Sequence, residues 1–433
     1  MKLAFSESVR HLLARIRRTL GPEGAIARLK PDHAPAPHIR HATHASASEI
    51  ARLWDGLIAH GRGTPEARAV LADPATAGDA ERYAANIENM IGTVKVPLGI
   101  AGPLRVNGLH AKGDYFVPLA TTEAALVASF ARGAEVITRS GGASAALLGE
   151  CVLRSPGFVF RDLGEAGLFV AWVMDHAEAL KEAAESTTRH GRLFAIEPVI
   201  DTNVVFLLCR YTTGDASGQN MVTIATDALC GRILEGCPVQ PQHWFIEANF
   251  SGDKKASYLG LVGGRGRKVT ASVTIPGDLV QRMLHTPVAQ MIAYGRVANL
   301  GALMSGQLGA QGHYANGLAA FYIATGQDAA CVSESAVGFT RMEPAGAEGH
   351  DLFVSVTLPN ILVGSVGGGT GLPSQGAALD ILGLKGAGQA DALAEVTAAL
   401  CLAGEISIIG AIAANQFTNA HARLARGRLA PDA

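Results

Sequence analysis

The sequence predicts a mixed α and β protein, and three observations carry that prediction. From about residue 49 onward, helical spacings of apolar residues alternate with short strand-like runs. Hydrophobic residues make up 48% of the chain and charged residues 17%, which excludes a largely disordered polypeptide. The 433 residues amount to two or three domains, or one large domain with an insertion, at roughly 100–200 residues per domain. A chain of this length buries a large core without covalent staples.

Taken in order, residues 3–20 set Leu3, Phe5, Val9, Leu12, Leu13, Ile16 and Leu20 at helical spacing, with Arg10, Arg15, Arg17 and Arg18 largely elsewhere. Such a stripe is expected to pack on the body or on a partner subunit; a membrane-surface helix is the alternative. KPDHAPAPHIRHATHAS (30–46) reads as a linker, and its histidines His33, His38, His41 and His44 are expected to be solvated rather than metal-bound. Around 157–245 the character changes: TNVVFLLCRY (202–211) is strand-like, TTGDASG is a turn, and QNMVTIATDALCGRILE (219–235) is helical. A strand–turn–helix unit aims backbone N–H groups at an anion. Neither GxGxxG nor GxxxxGK[ST] occurs, so neither standard nucleotide-binding fold is signalled.

With 36 basic and 38 acidic residues the net charge is −2, which removes the electrostatic footprint of a dedicated nucleic-acid binder. The six cysteines form no CxxC pair and are expected to be buried, reduced and free of metal, as in a cytoplasmic protein. The opening residues lack the apolar core of a signal peptide, and the apolar stretch 396–415 is interrupted by Glu405, so a soluble protein without a membrane anchor is expected.

In a chain this poor in charge, ionisable residues marooned in apolar or glycine-rich runs are informative, because burying one unpaired is costly. Glu123 is the only charge in the fifteen residues VPLATTEAALVASFA, and the two threonines before it suit a helix start. It is either a first-turn glutamate or a desolvated acid able to give up a proton near neutrality. Asp253, Lys254 and Lys255 follow Phe250-Ser251-Gly252, either as a solvated loop or as the source of a cation for a developing oxyanion. Asp328 is the sole charge of NGLAAFYIATGQDAACV, which Asn316 opens; a helix cap is the plain alternative. His421 lies seventeen residues beyond Gly404, where it is a solvated residue or an acid on a closing tail. VGSVGGGTGLPSQ (363–375) is a glycine-rich loop that lets backbone approach a ligand.

Six segments in one order, ENMIGTVKVPLGIAGPL (88–104), PLATTEAALVAS (118–129), GDASGQNM (214–221), DKKAS (253–257), YIATGQDAA (322–330) and VGGGTGLPSQ (366–375), resemble 3-hydroxy-3-methylglutaryl-CoA (HMG-CoA) reductase, particularly its class I catalytic domain. The resemblance spans roughly residues 80–425. It implies an α+β fold, in which a large helix-rich domain (49–155 and 247–433) carries an inserted ferredoxin-like dinucleotide-binding domain (156–246), behind an arm and linker (1–48). It implies reduction of a CoA thioester to an alcohol with two hydrides from NADPH, NADH being possible. A homodimer or dimer of dimers with shared active sites is implied as well.

By the same resemblance Glu123 is the acid toward the carbonyl oxygen, and Lys254 stabilises the oxyanion. Asp328 couples to both, and His421 protonates the departing thiolate. Glu88, Asn89, Arg154, Asp253, Lys255 and Asn316 fall at substrate positions. Asp215, Ser217, Gln219, Asn220, Gly368, Gly369 and Thr370 fall at dinucleotide positions, and no metal is implied. A cationic lysine beside two carboxyl groups implies coupled titrations.

Several positions depart from the family pattern. Ser217 and Gln219 replace two methionines of GDAMGMN, and TTEGALVAS reads TTEAALVAS. Glu247 stands where a serine usually helps to hold the substrate's free carboxylate, and an anion there would repel it unless turned away or protonated. Ala298 stands where a lysine is usual, with Arg296 close by. These departures leave two further readings: a reductase of another acyl-CoA thioester, and a non-catalytic homologue that binds CoA or dinucleotide.

Overall fold

The protein is described here by a computed structural model covering residues 7–19 and 21–415. It divides into two compact units, Met1–Thr93 and Val94–Ala433. The stretch 49–93 therefore groups with the arm.

The first unit is helical. Helices Glu7–Thr19 and Gly21–Leu29 form the arm, and on the first of them Val9, Leu12 and Leu13 are exposed. Helix Ala47–Ala59 starts where Ser46 Oγ accepts the Glu49 N–H at 3.2 Å, and helix Pro65–Leu71 where Thr64 Oγ1 accepts the Ala67 N–H at 3.1 Å. A small core of Ala45, Ile50, Trp54, Ala80 and Met90 closes it, with the Trp54 indole N–H donating to the Ile91 carbonyl at 2.7 Å.

The second unit holds the strands β1 (Leu98–Gly108), β2 (Lys112–Ala120), β3 (Ala143–Arg154), β4 (Gly157–Val159), β5 (Arg192–Asp201) and β6 (Val204–Thr212). They are followed by β7 (His243–Phe245), β8 (Gly266–Ile275), β9 (Gly309–Ala310), β10 (Gly338–Ala345) and β11 (Asp351–Ile361). In the larger sheet β3, β8, β11 and β10 run antiparallel in that order, with Ala145 opposite Ala271, Val354 opposite Val273 and Phe339 opposite Thr357. The last three residues of β3, Val152–Arg154, pair with β6 and carry the chain into a second sheet.

That second sheet has the order β7-β4-β6-β5 with every pair antiparallel. Helices Leu163–Asp175 and Ala177–Glu185 connect β4 to β5, and helix Gln219–Gly236 connects β6 to β7. The β-α-β-β-α-β succession is the ferredoxin-like arrangement. Phe158 and Phe160 pack at a tilt against Phe169, at ring separations of 4.9 and 4.7 Å, and fasten the first helix to the sheet.

Helix Ala390–Ala413 is long and apolar enough to cross a membrane by length and composition, yet nearly all of it is buried inside protein. Its two interior carboxylates are fully engaged. Glu395 accepts the N–H groups of Leu109, His110, Ala111 and Leu147 at 2.8–3.2 Å. Glu405 accepts those of Gly312 and His313 at 2.8 Å, the Thr340 hydroxyl at 2.6 Å and the His313 ring at 3.2 Å. These bonds hold the Glu405 carboxyl below its ordinary range although burial pushes it up. The six cysteines are buried and free, as expected.

Candidate active site

Lys254 lies in the turn between β7 and helix Tyr258–Gly263, where Ser251 Oγ accepts the Asp253 N–H at 3.2 Å. Its backbone is left-handed, with φ 56°, a conformation that needs outside support in a residue bearing a Cβ. Glu334 supplies that support by accepting the Lys254 N–H at 3.0 Å. The ammonium is then aimed at Asp328, with Nζ 2.8 Å from Oδ2.

Asp328 comes from the other side. Helix Tyr314–Thr325 ends at Gly326, whose φ is 74° and where any Cβ would collide with the Gly369 carbonyl. Two residues later Asp328 Oδ1 accepts the Ala330 N–H at 3.0 Å, capping a short 3₁₀ turn. The capping and the charge-pairing readings of this aspartate therefore both hold, one on each oxygen. The hydrogen bond from Lys254 to Asp328 raises the lysine pKa against an opposing desolvation. Burial would raise the Asp328 carboxyl, but the Lys254 and Ala330 bonds outweigh it and hold the group low.

Glu123 differs from both sequence expectations. Its side chain is exposed, not desolvated, and it precedes the helix rather than standing in its first turn. The reason is local: Ala125 adopts φ 71°, so the helix begins only at Leu126, and Thr121 Oγ1 accepts the Glu123 N–H at 3.0 Å within the turn. Asn316 Nδ2 donates to Glu123 Oε1 at 3.5 Å, which joins the two residues the sequence had linked only by resemblance. They line a cleft of about 480 Å³ with Leu126, Ile323 and Val332. Among the described residues no hydrogen bond joins this half of the site to Lys254 and Asp328.

Behind the lysine lies a buried ionic cluster that the sequence did not reveal. Arg265 Nη1 donates to Glu334 Oε2 at 2.6 Å, and its Nη2 lies 2.9 Å from Asp253 Oδ1 and 2.8 Å from Gln219 Oε1. Arg154, expected to meet substrate, is buried, and its Nη1 lies 3.1 Å from Glu247 Oε2 and 3.2 Å from Asp253 Oδ2. Glu247 is thus turned onto Arg154, which it shares with Asp253, as a carboxylate turned away from the substrate position would be. Asp253 faces inward to the two arginines, whereas Lys255 is exposed, with Nζ donating to the Asp253 carbonyl at 2.9 Å.

The turn 214–220 and the glycine-rich loop are tied together. Asp215 accepts the N–H groups of Gly388 and Ala390 at 2.8 and 3.3 Å, and its carbonyl takes the Ser365 N–H at 2.9 Å. Its carboxylate thus ties the turn to the 388–390 segment. Gln219 points inward, with Nε2 donating to Cys331 Sγ at 3.4 Å. Asn220 and Gly368 are exposed, Ser217 and Gly369 half-buried, and Thr370 buried with its hydroxyl on the Gly367 carbonyl at 2.7 Å. Gln327, next to Asp328, clamps the loop through Gly364 N–H at 2.8 Å and Gly364 C=O at 3.0 Å. The loop also leaves Ser365 Oγ buried without a partner among the described residues. That donor, the exposed Asn220 amide and the side-chain-free Gly367-Gly368 backbone fit a polar dinucleotide.

Glu88 and Asn89 belong to the first unit; Glu88 is exposed, and Asn89 exchanges bonds with the Ala42 backbone at 2.8 and 3.0 Å. Arg296 lines a different open groove of about 740 Å³ with Asp278 and His350, so within one chain it does not replace the missing lysine. His421 lies outside the described residues.

Fold and site together define an α+β enzyme whose centre joins a fixed ammonium to a paired aspartate, beside a cleft carrying a second carboxylate. The profile of the hydroxymethylglutaryl-coenzyme A reductase family matches residues 64–426. The 3-hydroxy-3-methylglutaryl-coenzyme A reductase of Methanothermobacter thermautotrophicus is 44% identical over 346 residues, covering 79% of this chain and 85% of that protein. The reductase of Aeropyrum pernix is 44% identical over 355 residues, covering 81% and 84%. In structure, the NADPH-bound class II reductase of Streptococcus pneumoniae superposes with a TM-score of 0.62 at 22% identity, covering 84% of this chain and 96% of that one. The chain belongs to the hydroxymethylglutaryl-coenzyme A reductase family.

Proposed function

We propose that this protein reduces (S)-HMG-CoA to mevalonate and free CoA. The family match carries the reading, because it contains, within one chain, the 2.8 Å Lys254–Asp328 pair. The balanced reaction consumes two hydrides and two protons: the thioester carbon gains both hydrides, the C–S bond breaks, and the protons end on the alcohol oxygen and the thiol. NADPH, or NADH, supplies the hydrides when bound, held by the 364–370 loop and the turn around Asn220.

Lys254 stands as the cation for the carbonyl oxygen as negative charge develops on it. Fixing such a charge in place is the largest single catalytic effect in many enzymes. Asp328 orients the ammonium, and Glu123, oriented by Asn316, serves as the proton source on the cleft side. His421 is assigned the departing thiolate by its family position. Lys255 is the exposed cation beside the cluster and is assigned the substrate's carboxylate, with Arg154 holding Glu247 out of its way. Glu88 and Asn89 are assigned to substrate from a partner subunit or on closure.

The finer organisation is proposed on the same resemblance. The chain is class I-like, with 156–246 as the dinucleotide-binding insert, 49–155 and 247–433 as the substrate and CoA part, and 1–48 as an arm. It works in the cytoplasm as a homodimer or dimer of dimers, supported by the exposed Val297, Leu300, Leu303 and Met304 on helix Val288–Ser305.

The test is dinucleotide oxidation by the purified protein with HMG-CoA, using NADPH and NADH in parallel. Two dinucleotides oxidised per mevalonate formed is the expected result. Turnover only of an acyl-CoA without a free carboxylate would establish the second reading, which Glu247 in place of serine motivates.

A further inference from the structure

Gln219 reaches, from behind, a residue on each side of the Lys254–Asp328 pair: Arg265, which holds Glu334, and Cys331, in the turn that Asp328 caps. Its Oε1 accepts from Arg265 Nη2 at 2.8 Å, and the same guanidinium holds Glu334, the residue that takes the Lys254 N–H at 3.0 Å. Its Nε2 donates at 3.4 Å to Cys331 Sγ, at the end of the 3₁₀ turn that Asp328 caps. Its carbonyl accepts from Arg154 Nη2 at 3.4 Å. Gln219 is also the first residue of helix Gln219–Gly236, directly behind Gly218, which adopts φ 75° and where a Cβ would collide with Thr213. The residue is therefore fixed at the hinge between the turn 214–218 and the reacting cation. An apolar side chain at this position keeps the backbone carbonyl's bond from Arg154 but makes neither side-chain bond, and leaves one more N–H of the buried Arg265 without an acceptor.

We infer that Gln219 is a positioning residue that couples the turn 214–220 to the Lys254–Asp328 pair through Arg265 and Cys331. It acts from behind the pair and touches neither substrate nor dinucleotide; as a role in turnover, it rests on the reading above. The methionine of the family pattern at this place fills the volume without the polar link, so the coupling is a property of this chain.

The test compares Gln219→Met with Gln219→Glu, which keeps an acceptor toward Arg265. In Q219M, kcat falls about tenfold, in line with a small misplacement of a catalytic group. KM for HMG-CoA stays within about twofold, because ground-state binding is untouched. The alkaline limb of the kcat–pH profile moves to lower pH, since a loosened Lys254 sees less of Asp328 and Asp253, the carboxylates that hold its proton. Q219E recovers kcat to within about threefold of the parent. An unchanged kcat and pH profile in Q219M overturns the inference, and so does equal damage in both variants.

A second readout separates this from failure of the functional reading. Lys254 is titrated by NMR of the ¹³C-methylated protein, with Lys254→Arg giving the assignment. If the parent protein does not turn over HMG-CoA, the reading fails. The coupling then still predicts a lower Lys254 pKa in Q219M, and an unmoved titration sinks it. Should Q219M not fold, the same titration in Q219E decides, with a parental Lys254 pKa expected and a lowered one contradicting.

Discussion

Two ion pairs meet at the turn 253–255, and they sit in opposite surroundings. Lys254 and Asp328 each leave 43% of the side chain exposed, whereas Arg265 and Glu334 leave 2% and 1%. In the exposed pair the lysine is held high and the aspartate low, as mutual stabilisation requires. In the buried pair desolvation pushes the Glu334 carboxyl up in spite of Arg265. The first pair is screened by solvent and contributes little to stability, about 0–1 kcal/mol, which is consistent with the chemical role proposed for it. The second is taken out of water, and its worth lies in what it holds: the backbone of Lys254 in a left-handed conformation and the inward face of Asp253. On the proposed mechanism, the chain separates the charge that acts from the charges that aim it.

The largest effect expected from breaking this contrast is on the buried side. Glu334→Ala leaves Arg265 buried beside a missing partner and should cost about 3–5 kcal/mol in urea unfolding. A loss below 1 kcal/mol would equate the two pairs and remove the distinction. Next comes Lys254→Ala, which should lower kcat about 100–1,000-fold while leaving the unfolding midpoint unchanged. Parental turnover in that variant would show that the ammonium is not the oxyanion's partner.

The smallest effect is on pH dependence, and its sign follows from the two shifts. Asp328, held low, contributes above the ordinary carboxylate value, and its contribution is lost as pH falls through the lowered value. Lys254, held high, contributes below the ordinary lysine range, and its contribution is lost as pH rises through the raised value. The alkaline limb of kcat should therefore move to lower pH in Asp328→Asn. A limb that stays in place means that another group sets it.

Much of this was legible from the order of residues alone. The strand at 204–212, the turn and the helix at 219–236 were readable because β-branched and aromatic residues end at a glycine-rich turn before a helical period begins. Lys254 and Asp328 were readable because charges are rare in apolar, glycine-rich runs. The same argument extended to helix Ala390–Ala413 would have singled out Glu395 and Glu405 as buried acceptors of backbone N–H groups; Glu405 was noticed only as an interruption. Glu334 met the same criterion, as the only charge between Asp328 and Arg341, but was not singled out; its partnership with Arg265 was beyond reach because it spans 69 residues. Glu247 shows the same limit. Its identity was visible as a departure, but its harmlessness depends on Arg154, 93 residues away. The start of the helix at Leu126 was misplaced because Ala125 takes a left-handed backbone that its side chain does not advertise.

The account turns on Glu334 acting through Lys254, and a double-mutant cycle on kcat tests that most directly. Glu334→Gln is introduced into the parent protein and into Lys254→Ala. The account predicts that E334Q slows the parent but leaves the already slow K254A unchanged, since there is no ammonium left to aim. Equal losses in both backgrounds would contradict it, and would return Glu334 to the role of a residue that merely holds the fold.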